Sequence, residues 1–331
     1  MSERKPVIGI TVGDPAGIGP EIVIKAVSDP AIREVCRPVL IGDRKNLEWT
    51  ADELGLLVTF GEFDSKKEVD GSIEVIDQKN LGRAVEFGVE SEVTGRSAAM
   101  NIEAAVDLWK AGTIDAIATA PISKNALKLA GYKYPGHTEF LAALTDTDDF
   151  AMSFFAEKLR VVLLSTHVSL KNAIDLVTTE SLVKLIEFAD RTLPDFIGKR
   201  PRIAVAGVNP HASEGGMFGD EEARSIEPAI EKCRDNGIDV SGPYSPDTIF
   251  LRGFRGEFDL VVACYHDQAT IAVKSLSFGA SVNVTLGLPL IRTSVDHGTA
   301  FDIAGKGIAE ESSMKASIRL AAELVTNRLS M

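Results

Sequence analysis

The segment VIGITVGDPAGIGPE, residues 7–21, places β-branched and apolar residues directly before a turn rich in glycine and proline. An apolar run that stops at such a turn indicates a buried strand, and the residues after the turn predict a helix. Five further runs have the same character: RPVLIG (37–42), DAIATA (115–120), RVVLLS (160–165), RIAVAG (202–207) and DLVVAC (259–264). Amphipathic stretches occupy residues 92–111, 178–192 and 219–235. This alternation predicts an α/β fold with a largely parallel core sheet.

The composition limits the classes of function. The chain has 331 residues, of which 45% are hydrophobic, so it can bury a large core in one domain or two lobes. Its net charge of -13 disfavours nucleic acid or an anionic membrane as the main partner, and leaves small anionic substrates open. No apolar run approaches the ~20 residues of a membrane span, and the first residues lack the apolar stretch of a secretory signal. The cysteines, Cys36, Cys233 and Cys264, form no CxxC pair. We therefore expect a cytoplasmic protein with reduced thiols.

The histidines are concentrated in polar segments near strand ends. There are five, and they are His137, His167, His211, His266 and His297. His167, His211 and His266 each closely follow a predicted strand, so their imidazoles can meet above one sheet. Three imidazoles suit an open, catalytic site for zinc, cobalt, nickel or iron, whereas the alternative is a set of unrelated loop histidines. Asp247 and Asp267 are candidate further ligands or orienting partners, and helix capping is an alternative role for Asp247.

Two other features indicate anion binding. The glycines of GDPAGIGPE (13–21) match neither the dinucleotide fingerprint nor the phosphate loop, so this segment is either an anion site at a helix start or a tight turn without a ligand. Lys274, Asn283 and Arg292 lie on or beside short apolar segments, where solvated charges are unexpected. The lysine and arginine are candidates to bind phosphate or carboxylate, with surface salt bridges as the alternative.

Long motifs along the chain resemble those of a known family. They are GDPAGIGPE, ATAPISK, YPGHTEFLA, STHVSL, GVNPHASEGGMFGDEE, GPYSPDTIF, YHDQ and VNVTLGLPLIRTSVDHGTAFDIAG. Together, and in this order over nearly the whole chain, they resemble the 4-hydroxythreonine-4-phosphate dehydrogenases of vitamin B6 biosynthesis.

The resemblance implies the isocitrate and isopropylmalate dehydrogenase type of fold, a two-lobed α/β architecture found as a homodimer. We assign residues 1–120 and 290–331 to a cofactor-side lobe, and residues 121–289 to a metal- and substrate-binding lobe with the dimer interface. HGTAFDIAGKGIA (297–309) is similar to the loop that holds the adenosine of the nicotinamide cofactor in those enzymes. The cofactor contacts implied there are His297, Gly298, Thr299 and Asp302. NAD is the expected cofactor, with NADP as the alternative.

The resemblance also implies the roles of single residues. His167, His211 and His266 bind the divalent metal, which is zinc, cobalt, magnesium, manganese or nickel, and one of the three comes from the partner subunit. The substrate-binding residues implied are His137, Thr138, Lys274, Asn283 and Arg292. The chain departs from the common pattern at Ala269 and Ser213, where many members have glycine, and these changes bear on backbone conformation more than on the reaction. Lys274 and Asp247 are the candidate general bases.

The implied reaction oxidises 4-phosphooxy-L-threonine to 2-amino-3-oxo-4-phosphooxybutanoate, which decarboxylates to 3-amino-2-oxopropyl phosphate on the route to pyridoxal 5'-phosphate. Metal chelation of the alcohol explains the need for imidazoles, and Lys274 and Arg292 supply local positive charge. One alternative is a dehydrogenase of 4-phospho-D-threonate or 4-phospho-D-erythronate in sugar-acid catabolism. More remote alternatives are a metal-dependent hydrolase, which forms product without NADH, and a non-catalytic ligand-binding protein, which tolerates His211→Ala.

Overall fold

The computed structural model describes residues 4–68, 71–82, 85–277 and 281–329. The chain contacts divide it into two units. The first unit ends at Asp148 and resumes over Leu288–Thr326, and the second is built on Asp149–Gly287.

The first unit contains a fully parallel sheet. Its strands are β1 (Val7–Thr11), β2 (Arg37–Gly42), β3 (Phe60–Glu62), β4 (Ile73–Asp77), β5 (Ala116–Thr119) and β12 (Ile291–Ser294). Its helices are α1 (Gly19–Ser28), α2 (Pro30–Val35), α3 (Arg44–Glu53), α4 (Glu92–Lys110), α5 (Lys124–Leu129), α6 (His137–Leu144) and the start of α13 (Ser312–Leu329). The strand order is β3-β4-β2-β1-β5-β12, and every neighbouring pair is parallel. The central strands are buried along their whole length, as strands covered by helices on both faces must be.

The second unit has a mixed sheet. Its strands are β6 (Ala151–Ala156), β7 (Leu159–Leu163), β8 (Ile203–Ala206), β9 (Val240–Tyr244), β10 (Leu260–Ala263) and β11 (Val282–Leu286). Its helices are α7 (Leu170–Asp175), α8 (Thr179–Thr192), α9 (Pro194–Ile197), α10 (Glu227–Asp235), α11 (Ile249–Phe254) and α12 (His266–Ser277). The order is β11-β6-β7-β10-β8-β9, with antiparallel pairs up to β7 and parallel pairs beyond it. Phe154, Val161, Phe250 and Val273 are part of the buried apolar core that joins the sheet to α11 and α12.

These observations confirm the predicted fold class, a two-lobed α/β architecture with a largely parallel core sheet. All six apolar runs are strands, and the stretches at 92–111 and 178–192 are α4 and α8. The stretch at 219–235 contains a π-helical turn, Glu222–Ile226, before α10. Among the described residues, no helix combines the length and apolarity that crossing a bilayer requires.

The two units divide at different residues from those assigned to the two lobes. The first division lies after Asp148 instead of residue 120, and the second after Gly287 instead of residue 289. The physical reason for the first difference is that α5 and α6 contact α4, which lies in the first unit. A helical pair between two strands carries no sequence signal of which sheet it will cover.

Candidate active site

Three loops of the second unit follow neighbouring parallel strands. β10 pairs with β7 on one side and with β8 on the other, so the carboxyl ends of these strands share one edge of the sheet. The loops that leave this edge contain STHVSL, YHDQ and GVNPHASEGG. Ligands of open α/β sheets gather at such an edge because the loops converge there.

His167 and His266 are brought together at this edge. Their ring centroids are 5.9 Å apart. His266 begins α12, and its Nδ1 lies 2.7 Å from Asp267 Oδ1, which leaves Nε2 as the atom available to a ligand. Both rings line a cavity of about 130 Å³ together with Thr166 and Tyr265.

His211 is placed differently. It lies in the turn Pro210–Glu214 with a φ of 54°, and left-handed residues continue through Ser213, whose φ is 63°, to Glu214. The His211 side chain is exposed, and its ring centroid lies 6.4 Å from that of Phe218. Within the described part of the chain, no group of three or more histidine, cysteine, aspartate or glutamate side chains is arranged to hold a metal. The three imidazoles therefore do not meet within one chain. His167 and His266 lie together, whereas His211 lies in a separate left-handed turn.

Buried hydrogen bonds join the three loops. Ser165 Oγ, two residues after the end of β7, donates to the carbonyl of Cys264 at 3.0 Å. Gln268 Oε1 accepts from the Cys264 N–H at 2.7 Å, and its Nε2 donates to the carbonyl of Gly207 at 2.7 Å. Gln268 is only 8% exposed. One amide side chain thus fixes the turn that presents His266 against the loop that leads to His211.

Glu222 fixes the other side of the His211 loop. It is 1% exposed, and its carboxylate accepts from the backbone N–H groups of Val208 and Asn209 at 2.8 Å each. Asn209 Nδ2 adds a third bond at 2.8 Å. Glu222 begins the π-helical turn, a feature that is frequent near functional sites. The residues just before His211 are therefore anchored, although His211 itself is exposed.

The other predicted residues of the second unit make no hydrogen bond to this network among the described residues. Lys274 is exposed further along α12. Asn283 lies on β11, and its Oδ1 is buried without a hydrogen-bond partner among the described residues. Asp247 is exposed and its Oδ1 accepts from Ser245 Oγ at 2.5 Å. The N-cap of α11 is Thr248, so Asp247 does not cap that helix.

In the first unit, Arg292 is buried and its charge acts on the half-buried His137. Arg292 is 3% exposed, and its Nη2 and Nε donate to Thr119 Oγ1 at 2.9 and 3.2 Å. Burial lowers the pKa of Arg292 to about 10. Burial, and then the charge of Arg292, lower the pKa of His137 well below its usual range, so the imidazole is neutral. His137 and Thr138 begin α6, and His137 Nε2 is buried without a partner among the described residues.

The glycine-rich turn and the 297–309 loop meet in the first unit. Ile18 N–H donates to the carbonyl of Thr299 at 3.0 Å. A Cβ on Gly17 would lie 2.9 Å from that same oxygen, so the approach requires glycine. The N–H groups of Ala16 and Gly17 bond to Asp14, which favours the tight-turn interpretation over anion binding. His297, Gly298 and Asp302 are exposed.

Comparison with known proteins identifies the family. Residues 34–321 match the family model described as pyridoxal phosphate biosynthetic protein PdxA. The chain belongs to the PdxA family. It is 47% identical to the D-threonate 4-phosphate dehydrogenase of Cupriavidus necator, over 99% of this chain and 100% of that protein. It is 44% identical to the 4-hydroxythreonine-4-phosphate dehydrogenase of Trichlorobacter lovleyi, with the same coverage.

The solved structures agree with this assignment. The crystal structure of 4-hydroxythreonine-4-phosphate dehydrogenase from Klebsiella pneumoniae has a TM-score of 0.89 and 44% identity, and covers 97% of this chain and 100% of its own. Membership of the PdxA family and the predicted dehydrogenase class are therefore confirmed. The names of the relatives divide between two phosphorylated substrates at nearly equal identity.

The donors present in this PdxA chain fit a divalent metal. His167 and His266 offer two imidazoles, and the carboxylate of Asp267 orients that of His266 through Nδ1, as carboxylates bonded to histidine ligands do at metal sites. Sequence reasoning missed three supporting side chains: Gln268, which holds the turn before His266, Glu222, which holds the loop before His211, and Thr119, which accepts from Arg292. All three lie inside motifs that were recognised, but their bonding partners are distant in the chain. For Glu222, the sequence shows only three adjacent acidic residues at 220–222, within the predicted amphipathic stretch. This pattern does not indicate which of the three is buried.

Proposed function

We propose that this chain catalyses the NAD- and divalent-metal-dependent oxidation of 4-phosphooxy-L-threonine to 2-amino-3-oxo-4-phosphooxybutanoate, which decarboxylates to 3-amino-2-oxopropyl phosphate. The observation that carries the proposal is the His167–His266 pair, with ring centroids 5.9 Å apart beside Asp267, in a chain of the PdxA family. A divalent metal held by His167, His266 and His211 supplies the Lewis acidity that lowers the pKa of the substrate alcohol. Zinc, cobalt, nickel, magnesium and manganese are the candidates.

The protein side chains provide binding and proton transfer. The buried guanidinium of Arg292 offers its charge to the phosphate or carboxylate of the substrate, and neutral His137 offers a hydrogen bond beside it. Thr138, Lys274 and Asn283 complete the proposed substrate contacts. Lys274 or Asp247 would take the proton of the substrate hydroxyl, and NAD, when bound, would accept the hydride from the carbon that carries this hydroxyl. Carbon dioxide would then leave the β-keto acid, and the resulting enolate would take up one proton at the carbon that lost the carboxylate. His297, Gly298, Thr299 and Asp302 hold the cofactor, with NADP as the alternative to NAD.

We also propose a homodimer in which His211 of one copy completes the site of the other. The support is that His167 and His266 lie together within one chain, whereas His211 lies in a separate, exposed turn. Mixing inactive His211→Ala protein with inactive His167→Ala protein tests this. A mixed dimer then regains one intact histidine set and a fraction of the activity. Mixtures that stay inactive although heterodimers form would refute the sharing of sites.

A second substrate is supported by a specific observation, because the Cupriavidus necator relative, at 47% identity, is a D-threonate 4-phosphate dehydrogenase. The deciding experiment gives the metal-loaded protein each phosphorylated acid with NAD or NADP and follows NADH or NADPH absorbance. Higher kcat/KM with 4-phosphooxy-L-threonine supports the first proposal. Higher kcat/KM with the phosphorylated D-threonate or D-erythronate supports the second, and product formed without reduced cofactor supports a hydrolase.

The location that we propose is cytoplasmic. Its support is the state of the cysteines, since Cys36, Cys233 and Cys264 are all buried and free. A small phosphorylated acid and a nicotinamide cofactor are also intracellular metabolites by chemical class.

A further inference from the structure

A buried ion pair on α1 holds the far end of the 297–309 loop. Glu21 Oε1 accepts from Lys25 Nζ at 2.6 Å and from the Ala309 N–H at 2.9 Å. Lys25 Nζ also donates to the carbonyls of Gly307 and Ala309 at 3.0 and 2.9 Å. The Glu21 side chain is 2% exposed and that of Lys25 is 19% exposed. All three ammonium donors of Lys25 are therefore used, two of them on the loop.

The near end of the same loop is held by the turn that leads into α1. Ile18 N–H donates to Thr299, and Gly17 allows the close approach. The loop is thus fastened at Thr299 and again at Gly307 and Ala309 by one continuous segment, residues 17–25. Between these points His297, Gly298 and Asp302 stay exposed. This arrangement fixes the backbone of the loop while leaving its polar side chains open to a ligand.

We propose that Glu21 and Lys25 are positioning residues for the nicotinamide cofactor. Their pairing holds the loop in its binding conformation before the cofactor arrives, so that binding does not have to supply the free energy for ordering those residues. The inference rests on the proposed cofactor role of His297–Asp302. The second oxygen of Glu21 is buried without a hydrogen-bond partner among the described residues, so the carboxylate depends strongly on Lys25.

The test compares Lys25→Met, Lys25→Arg and Glu21→Gln with a matched control, Arg96→Met. Arg96 forms the same i,i+4 pair with Glu92, but both side chains are more than half exposed. Hydrogen exchange of residues 303–309 is measured in the metal-loaded protein without cofactor, and Kd for NAD is measured by calorimetry. For Lys25→Met we expect faster exchange in this segment and a Kd about tenfold higher, since two hydrogen bonds to the loop are lost. KM for NAD rises with it, whereas kcat at saturating NAD and KM for the acid stay within about twofold. Lys25→Arg restores part of the affinity, and Arg96→Met matches the parent.

Asp302→Ala separates failure of the inference from failure of the proposed cofactor site. An unchanged Kd for NAD in Lys25→Met, with a raised Kd in Asp302→Ala, overturns the positioning role and keeps the cofactor site. An unchanged Kd in both variants overturns both proposals. If Lys25→Met does not fold, Glu21→Gln decides by the same two measurements, because its amide keeps the side-chain volume and removes the charge that pairs with Lys25.

Discussion

Replacing Gln268 with leucine removes the side chain that joins the His266 turn to the β8 loop. Leucine has a similar volume, so the change deletes the bonds to the Cys264 N–H and the Gly207 carbonyl, each 2.7 Å long, with little loss of packing. Gln268 is 8% exposed, so both backbone groups remain buried and unpaired. Each unpaired group costs about 1–3 kcal/mol. We expect the free energy of unfolding to fall by about 3 kcal/mol.

The same change should weaken metal binding. His266 lies two residues before Gln268, so a shift of this turn displaces a proposed metal ligand. Because Gln268 acts through the turn and not through a bond to His266, we expect metal affinity to fall by about tenfold, the lower end of the range for partners bonded to a ligand. Urea denaturation measures the stability, and competition with a chromophoric chelator measures the affinity for zinc or cobalt. Gln78→Leu is the matched control, because Gln78 is half-buried and its side chain makes one long, weak hydrogen bond, 3.4 Å to the carbonyl of Ile76. Stability within about 0.5 kcal/mol of the parent, together with unchanged metal affinity, would show that the Gln268 bonds do not position His266.

Three other changes test separate features. Ser213→Gly, at a φ of 63°, should raise the free energy of unfolding by about 1 kcal/mol, whereas Ser213→Ala, which keeps the Cβ, should leave it unchanged; thermal denaturation measures both. Burial raises the pKa of Asp14 from 3.8 to about 6 in the folded protein. The contribution of protonated Asp14 to the free energy of unfolding is therefore fully present below pH 3.8 and is lost as the pH rises through about 6. Asp14→Asn should therefore gain stability relative to the parent, by about 3 kcal/mol, between pH ~4 and pH ~7, and a pH-independent difference in urea denaturation would contradict this. Arg292→Lys loses the forked contact with Thr119 and should raise KM for the phosphorylated acid about tenfold or more in steady-state kinetics, while calorimetric metal affinity stays the same.

The predicted strands were those whose sequence is mostly apolar and β-branched. β1, β2 and β10 are buried at every residue, so hydrophobicity alone revealed them. β3 is three residues long and partly exposed, and β9 contains Gly242 and Pro243, so neither has the composition of a buried strand. The antiparallel pairing of β6 with β7 and β11 was also not predicted, because pairing direction depends on which strands meet.

The sequence predicted which types of side chain form the candidate site, but only part of their arrangement. The position of His167 and His266 after parallel strands predicted their approach, since neighbouring parallel strands end at one edge. The same reasoning did not place His211, because the left-handed conformation from His211 onward is unusual for residues other than glycine and has no sequence signature here. Ser213 is one of these left-handed residues, and it stands where many members of the family have glycine. The change was expected to bear on backbone conformation, since glycine adopts a positive φ more readily than serine does.

Buried polar side chains explain why the loops of both units have fixed conformations although their sequences are rich in glycine and polar residues. Gln268 and Glu222 bond to backbone groups in the second unit, and Glu21 does so in the first. A buried side chain of this kind is stable only when its partners are in place, so it couples the conformation of a loop to the folded core. Substitutions at these positions should therefore change ligand affinity although these side chains do not contact the ligand. Glu214, an exposed residue of the His211 loop, has no such bond among the described residues, and Glu214→Gln should change neither stability nor affinity for metal.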